Sequence, residues 1–216
     1  MKYKYVLFDV DGTLVDSGSA LQQSFVRVMS EETGRPVAPE DYARYWGVPG
    51  DRAFRDFGIE DEARIAAGIA KWDRYLQEIR SWNPPFEGIE ELLQELERRG
   101  FVMGVVTSKN SEELEADFGP SPIARYLPHR VTTNDTRRHK PYPDPLLEML
   151  RRLDARKEEC LYVGDTAFDS QCAASAGIDF ALAGWGLLFG EPEGVQAAYR
   201  LQRPRDLLEL PGIRQD

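Results

Sequence analysis

Residues 5–13 read YVLFDVDGT, an apolar run that ends in two aspartates and a glycine. The run Tyr5–Phe8 is typical of a buried strand, because it is short, continuous and followed by polar residues. Side chains two positions apart in an extended segment point the same way, so Asp9 and Asp11 are expected to face one cavity. Paired carboxylates repel, and both stay ionised only if a cation lies between them or one takes a proton. Gly12 is expected to allow a sharp turn after these acids. The alternative that this segment leaves open is a simple turn at Asp11-Gly12 with Asp9 as a helix cap.

Further apolar runs of the same form alternate with helical patterns. They predict strands over Val102–Val106, His129–Thr132, Leu161–Val163 and Ile178–Leu182. Leucine-rich patterns at helical spacing begin at Ile89 and Leu146, and Asp169 is expected to open another helix. Strands that alternate with helices predict an α/β fold, a Rossmann-like parallel sheet with helices on both faces.

Residues 17–85 break this alternation, because they show helical patterns over 20–33, 40–46 and 61–79 and no strand pattern. We predict an inserted all-helical cap domain over 17–85, beside a Rossmann-like catalytic core of residues 1–16 and 86–216. The hinges are expected near Asp16–Gly18 and Trp82–Gly88. Three aromatic residues of the insertion are predicted to belong to its own core: Tyr42, Tyr45 and Trp46.

The composition restricts the partners. The chain has 216 residues, with 27 basic and 37 acidic side chains and a net charge of -10. Such a surface repels nucleic acid and anionic lipid. The two cysteines lack metal-ligand spacing and are expected to be reduced thiols. The N-terminal apolar run is too short for a signal peptide, and no run reaches the roughly 20 residues of a membrane span, so a cytoplasmic protein is expected.

Polar side chains directly follow three of the predicted strands. Asp9 and Asp11 follow the first run, Thr107 follows the second, and Asp165 follows the run that ends at Val163-Gly164. In an open parallel sheet, ligands bind outside the carboxyl ends of the strands, so these groups are expected to converge. A hard cation with oxygen ligands suits such acids, and Mg²⁺ is the usual choice beside phosphate.

Two more residues are candidates for the same cavity. Asp169 follows Asp165 in the segment GDTAFD, where it would act as a helix N-cap, as a site residue, or as both. Lys140 lies in the segment KPYP, where prolines restrict the backbone. A fixed ammonium would offset the crowded carboxylates, whereas a lysine in solvent is the simpler alternative.

Together these segments resemble the haloacid dehalogenase superfamily, in particular its phosphatase branch with a helical cap after the first strand. The resemblance covers nearly the whole chain. The residues of its four motifs stand in the family's order: Asp9 and Asp11, Thr107, Lys140, and Asp165 with Asp169. Each motif alone is modest, but the four in this order are specific.

The resemblance implies a role for each position. Asp9 would attack phosphorus and form an aspartyl-phosphate, and Asp11 would protonate the leaving oxygen and then activate water. Thr107 and the backbone of Ser108 would bind the phosphoryl oxygens, and Lys140 would pair with Asp9 and phosphate. The cofactor would be Mg²⁺, held by the carboxylates of Asp9 and Asp165 and the backbone carbonyl of Asp11, with Asp169 in support.

Other chemistries of the family fit less well. Dehalogenases lack the second aspartate of the first motif, and phosphonate cleavage uses an early cap lysine, whereas Lys71 is the single lysine of the insertion and stands late in it. Similar mutases rely on cap histidine and lysine groups, and the insertion has no histidine. Hydrolysis of a phosphate monoester is therefore favoured. A sugar phosphomutase and a non-catalytic phosphate-binding sensor remain alternatives.

The substrate is expected to be a small phosphorylated metabolite. The segment Gly47-Val48-Pro49-Gly50 resembles the loop that these enzymes point at the substrate. Arg52, just beyond it, and Lys109, after the second motif, are candidates to bind an anionic group. Two such cations would suit a small acidic phosphate such as phosphoglycolate. The sequence does not predict whether the protein is a monomer or a homodimer.

Overall fold

A computed structural model of the chain describes residues 2–45, 50–80, 84–187 and 190–214. The chain folds into two compact units, one from Met1–Asp16 with Pro84–Asp216 and the other from Ser17–Asn83. Within the described ranges, no helix is both long and apolar enough to cross a membrane. Trp46, the loop residues 47–49 and Trp82 lie outside the described residues. The role of the helical unit as a cap stays a prediction.

The second unit contains the helices α1 (Ser17–Thr33), α2 (Gly50–Asp56) and α3 (Glu62–Arg80). A 3₁₀ segment, Pro39–Tyr45, stands where a regular helix over 40–46 was predicted. The core of this helical unit forms around Phe25, whose ring centroid lies 4.9 Å from that of Tyr42 and 5.5 Å from that of Trp72. Tyr42 is buried and Tyr45 packs against the same cluster, so the prediction that both belong to this core is confirmed.

The first unit contains a parallel sheet of six strands among the described residues. The strands are β1 (Tyr5–Phe8), β2 (Val102–Val106), β3 (His129–Val131), β4 (Cys160–Gly164), β5 (Asp179–Ala183) and β6 (Tyr199–Leu201). Their order in the sheet is β3-β2-β1-β4-β5-β6. The predicted Rossmann-like α/β fold is confirmed. The order reverses between β1 and β4, and ligands bind at such a switch point in doubly wound sheets.

Helices of this unit cover both faces of the sheet. They are α4 (Ile89–Arg98), α5 (Ser111–Asp117), α6 (Asp144–Leu153) and α7 (Ala167–Ala176). Val6 and Phe8 belong to the apolar cluster that contains the buried side of α4, whereas Leu7 belongs to the cluster that contains α6 and α7. Successive side chains of a strand point to opposite faces, so β1 is buried on both sides and reads as a continuous apolar run.

Candidate active site

Polar residues continue three central strands by one position at the carboxyl edge of the sheet. Asp9 follows β1, Thr107 follows β2 and Asp165 follows β4. The backbone N–H of Asp9 donates to the carbonyl of Val163 at 2.9 Å, and that of Thr107 donates to the carbonyl of Val131 at 3.1 Å. These bonds extend the hydrogen-bonding pattern of the sheet past the ends of β1 and β2, so the backbone of Asp9 and Thr107 is fixed.

Three carboxylates meet at this edge. Asp9, Asp165 and Asp169 each offer an oxygen that lies within 4.8 Å of the other two. Their exposed fractions are 7%, 2% and 0%, so bulk water does little to screen their charges. At about 4 Å, two like unit charges repel by on the order of 4 kcal/mol at an effective dielectric constant near 20. The cluster therefore needs positive charge close by.

Lys140 supplies part of that charge. Its ammonium nitrogen lies 3.0 Å from Oδ1 of Asp9 and 2.7 Å from Oδ1 of Asp169, and the side chain is only 4% exposed. It also donates to the hydroxyl of Tyr162 at 3.2 Å. The alternative of a solvated surface lysine is therefore excluded. One ammonium among three carboxylates still leaves an excess of negative charge.

The pKa values follow from burial and from these charges. Burial raises the pKa of Asp9 to about 7, although Lys140 opposes the shift. Burial, together with the charges of Asp169 and Asp9, raises the pKa of Asp165 well above its usual range. Burial also acts on Asp169, but Lys140 and the hydrogen bonds from Thr166 and Tyr162 hold its pKa below the usual value. Of the three carboxylates, Asp169 is thus the easiest to keep ionised, because it combines the contact with Lys140 with hydrogen bonds from Thr166 and Tyr162.

The helix start next to Asp169 differs from the sequence-based expectation. Asp169 does not open α7, since the helix begins at Ala167 and Thr166 is its N-cap. The Thr166 hydroxyl accepts from the N–H of Asp169 at 3.1 Å, and Oδ2 of Asp169 accepts from the N–H of Thr166 at 3.0 Å. This reciprocal capping box holds one carboxylate oxygen and leaves Oδ1 for Lys140 and Tyr162.

Tyr162 is a site residue that the sequence reasoning missed. Its hydroxyl lies 2.9 Å from Oδ1 of Asp169 and 3.0 Å from the carbonyl oxygen of Val106, and the side chain is fully buried. In the sequence it is one apolar member of a strand, so it reads as core. Its position in β4 could have indicated its role. Side chains of a strand alternate between the two faces of the sheet, and Tyr162 lies on the face that is covered by α7, the helix that carries Asp169.

Gly12 makes the turn of the first motif possible. It has a φ of +72°, and a Cβ atom there would lie 2.2 Å from Oδ2 of Asp165. The carbonyl of Val10 accepts the N–H groups of Thr13, Leu14 and Val15, so the chain turns sharply after Asp9. The predicted sharp turn at Gly12 is confirmed, and glycine is needed there both for the left-handed backbone and for the close approach.

A second segment packs against this turn and was also missed. The indole N–H of Trp185 donates to the carbonyl of Thr13 at 2.9 Å. A Cβ atom on Gly186 would lie 1.7 Å from the carbonyl oxygen of Gly12. The signal in the sequence is a tryptophan between two glycines directly after a strand, which marks a close approach of two backbones.

The side chain of Asp11 does not join the three clustered acids. Its Oδ2 lies 3.0 Å from the ammonium of Lys109, and the side chain is 31% exposed. The prediction that Asp9 and Asp11 face one cavity, with a cation between them or a proton on one of them, stays a prediction, since after burial the charge of Asp11 is among the causes that raise the pKa of Asp9. This prediction assumed an extended chain through Asp11, but the turn on the carbonyl of Val10 ends the alternation of side chains.

Three other predicted site residues lie in different surroundings. Thr107 is buried, and its hydroxyl oxygen accepts from the backbone N–H of Lys109 at 3.1 Å, which leaves the hydroxyl proton for donation. Ser108 is exposed beside it. Arg52 is exposed on α2 of the helical unit. Its predicted role in binding the substrate stays a prediction.

The donor set fits Mg²⁺. Three buried carboxylates with one lysine offer several anionic oxygens and no nitrogen or sulfur ligand, which is the preference of a hard divalent cation. The pKa values of Asp9 and Asp165 are raised because both carboxylates are buried next to other acids with too little positive charge nearby. A divalent ion here would let both acids ionise.

Comparison with known proteins supplies the family. The family model described as "Haloacid dehalogenase-like hydrolase" matches residues 6–183. The chain belongs to this family. Pyrophosphatase PpaX of Bacillus cereus (strain Q1) is 30% identical over 215 residues, which are 97% of each protein.

Solved structures of the family have the same fold. A "Putative phosphoglycolate phosphatase" from Lactobacillus plantarum superposes with a TM-score of 0.77 at 29% identity, and the match covers 97% of this chain and 99% of that one. A haloacid dehalogenase superfamily hydrolase of subfamily IA from Geobacter sulfurreducens has a TM-score of 0.75 at 24% identity, over 96% of this chain and 95% of that one. The predicted membership of the haloacid dehalogenase superfamily and the predicted class of enzyme, a phosphoric ester hydrolase, are confirmed.

The contact between Gly186 and Gly12 gives a test of the site loop in this hydrolase. We expect Gly186→Ala to lower kcat/KM by on the order of 100-fold, because the added Cβ must displace the backbone that carries Asp11. Overpacking should also cost about 1–3 kcal/mol of unfolding free energy. Steady-state phosphate release and urea unfolding measure the two effects.

Gly100→Ala is the matched control for this variant. Gly100 also lies in the sheet unit, has a φ of +79° and has no atom within 4 Å of an added Cβ. The control should lose about 1–2 kcal/mol from its left-handed backbone and keep full activity. Equal activity of the two variants would show that the loop tolerates the displacement.

Proposed function

We propose that this chain is a Mg²⁺-dependent phosphatase that hydrolyses a small phosphate monoester through an aspartyl-phosphate on Asp9. The observation that carries the proposal is the pairing of Asp9 with Lys140 at 3.0 Å inside a buried cluster of three acids. A lysine at this distance keeps one oxygen of the nucleophile oriented and offsets its charge. Such a pair suits attack on an anionic phosphorus centre.

The residues of the chain divide the work of the reaction. Asp9 attacks phosphorus, and covalent capture replaces one difficult displacement by two easier ones. Thr107 donates its free hydroxyl proton to a phosphoryl oxygen, and Lys140 offsets charge on the transferring group. Asp11 gives a proton to the leaving oxygen and later takes one from the attacking water. The carboxylates of Asp9 and Asp165 and the backbone carbonyl of Asp11 would hold the metal, with Asp169 in support.

Bound Mg²⁺ would supply positive charge that offsets the repulsion between the Asp9 carboxylate and the phosphoryl oxygens. The excess of negative charge in the cluster supports this cofactor, since the single charge of Lys140 cannot balance three carboxylates. The partner is then a small phosphorylated metabolite. Ser108 and Arg52 remain proposed substrate-binding residues, and Lys109 was a third candidate for that role.

Two substrates have specific support. Phosphoglycolate fits the proposal of a small acidic monoester, and the Lactobacillus plantarum structure carries that substrate in its name. Pyrophosphate, which is an anhydride and not a monoester, is the second candidate, because the Bacillus cereus relative is named for it. Both molecules join a phosphoryl group to a second anionic group. A sugar phosphomutase on the same scaffold is the alternative reaction.

A phosphate-release panel tests the proposal. We expect the wild-type protein to release phosphate from 2-phosphoglycolate or pyrophosphate with MgCl₂ and to lose at least about 99% of the rate in excess EDTA. Isomerisation of glucose 1-phosphate without net phosphate release would favour the mutase. Binding of phosphate with no turnover of any compound would favour the sensor, and metal-independent release would contradict the Mg²⁺ site.

A further inference from the structure

Lys109 joins two segments of the site through its backbone and its side chain. Its N–H donates to the Thr107 hydroxyl at 3.1 Å, and its carbonyl accepts from the N–H of Thr133 at 3.0 Å. These two bonds fix the main chain on both sides of the residue. The position of the Lys109 side chain is therefore set by the same backbone that presents Thr107.

The ammonium of Lys109 is shared between two carboxylates. It lies 3.0 Å from Oδ2 of Asp11 and 2.9 Å from Oδ2 of Asp117, and the lysine side chain is only 9% exposed. Asp117 is the last residue of α5, and its side chain is 15% exposed. A lysine held in this way is not presented as a free cation to a substrate.

The helix α5 keeps Asp117 in place. Asn110 caps the helix, with its side chain accepting from the N–H of Glu113 at 2.9 Å while the Glu113 side chain accepts from the N–H of Asn110 at 2.9 Å. Such a capping box satisfies two donors at the helix start and fixes the direction in which the helix leaves the strand. Asp117 is thus held one helix length beyond Lys109, with Phe118 buried directly after it.

We propose that Lys109, anchored by Asp117, is a positioning residue that holds the carboxylate of Asp11 in place for proton transfer. This inference rests on the proposed function. Because the lysine occupies Oδ2 of Asp11, the other oxygen is the one available to the leaving group and to water. The contact also separates Asp11 from the three clustered acids, so that its carboxylate serves proton transfer and does not join the metal ligands.

Removal of the ammonium should release Asp11. In Lys109→Met the side-chain stem remains, but Asp11 and Asp117 lose the cation that they share and repel each other. With p-nitrophenyl phosphate as the probe, we expect kcat to fall by on the order of 100-fold, the lower range of general acid–base catalysis, with KM unchanged within about threefold. Asp117→Asn leaves Lys109 without its anchor and should lower kcat in the same direction by a smaller factor.

The double variant separates positioning from other roles. If Lys109 acts through Asp11, then adding Lys109→Met to Asp11→Asn should lower kcat by less than about threefold. The exposed Lys157→Met is the matched control and should keep wild-type kinetics. Urea unfolding of each variant reports the fold, and Asp117→Asn is nearly isosteric, so it keeps the test informative if Lys109→Met unfolds.

Three outcomes would overturn the inference. A raised KM with unchanged kcat in Lys109→Met would make Lys109 a substrate-binding residue. A full 100-fold further loss in the Asp11→Asn background would show that Lys109 acts independently of Asp11. Wild-type kinetics in both Lys109→Met and Asp117→Asn would remove any role. A wild-type protein that releases no phosphate from any ester would instead overturn the proposed function, and the inference would fall with it.

Discussion

Asp9→Asn should abolish turnover while the protein stays folded. Loss of a nucleophile costs on the order of 10⁴-fold or more in kcat, because the amide cannot form the covalent intermediate. The substitution is nearly isosteric and removes one of three clustered negative charges, so the free energy of unfolding in EDTA should not fall. Phosphate release over long incubations and urea unfolding measure the two quantities.

Asp154→Asn is a matched control for this variant. It makes the same chemical change at the exposed C-terminal end of α6, where the backbone has a φ of 49° that asparagine tolerates. Activity and stability should both stay at wild-type values. Turnover by Asp9→Asn above a few per cent of wild type would refute Asp9 as the nucleophile, and a collapse of its fold would show that the carboxylate is needed for structure.

Lys140→Met should destabilise the metal-free protein strongly. The ammonium lies among buried acids at 3.0 Å from Asp9 and 2.7 Å from Asp169, and removing one partner of a buried ion pair costs about 3–5 kcal/mol. In excess EDTA the free energy of unfolding should fall by about that amount. Turnover should also fall sharply, since the charge that faces the phosphoryl group is lost.

Magnesium should recover part of this stability. A cation that binds only the folded state stabilises it by mass action, and it would offset the charge left unpaired in Lys140→Met. We therefore expect MgCl₂ to raise the urea midpoint of the variant more than that of wild type. Lys157→Met, an exposed lysine of the same unit, should lose less than about 0.5 kcal/mol. A urea midpoint that MgCl₂ leaves unchanged in all three proteins would contradict a metal among these acids.

The sheet could be predicted because its central strands are buried on both faces. Tyr5–Phe8 and Val102–Val106 are continuous apolar runs that match β1 and β2 in full. In contrast, β6 (Tyr199–Leu201) was missed, since it is a three-residue strand at the edge of the sheet and has no apolar run. Continuous burial leaves a pattern in the sequence, whereas a short edge strand leaves almost none.

Convergence at the site could also be predicted, but the contacts could not. Strand ends bring Asp9 and Asp165 together whatever the details of the loops, since parallel strands share one carboxyl edge. The direction of the Asp11 side chain depends on the turn at Val10. Its link to Asp117 runs through the ammonium of Lys109 and depends on the length and direction of α5. Such contacts join residues far apart in sequence and follow no period.

A crystal structure of the protein with MgCl₂ tests the central claim most directly. The account predicts one Mg²⁺ ion bound at about 2.0–2.1 Å by carboxylate oxygens of Asp9 and Asp165, with Asp169 beside it and Lys140 still paired with Asp9. Acids turned away from one another, with no ion among them at saturating magnesium, would contradict it.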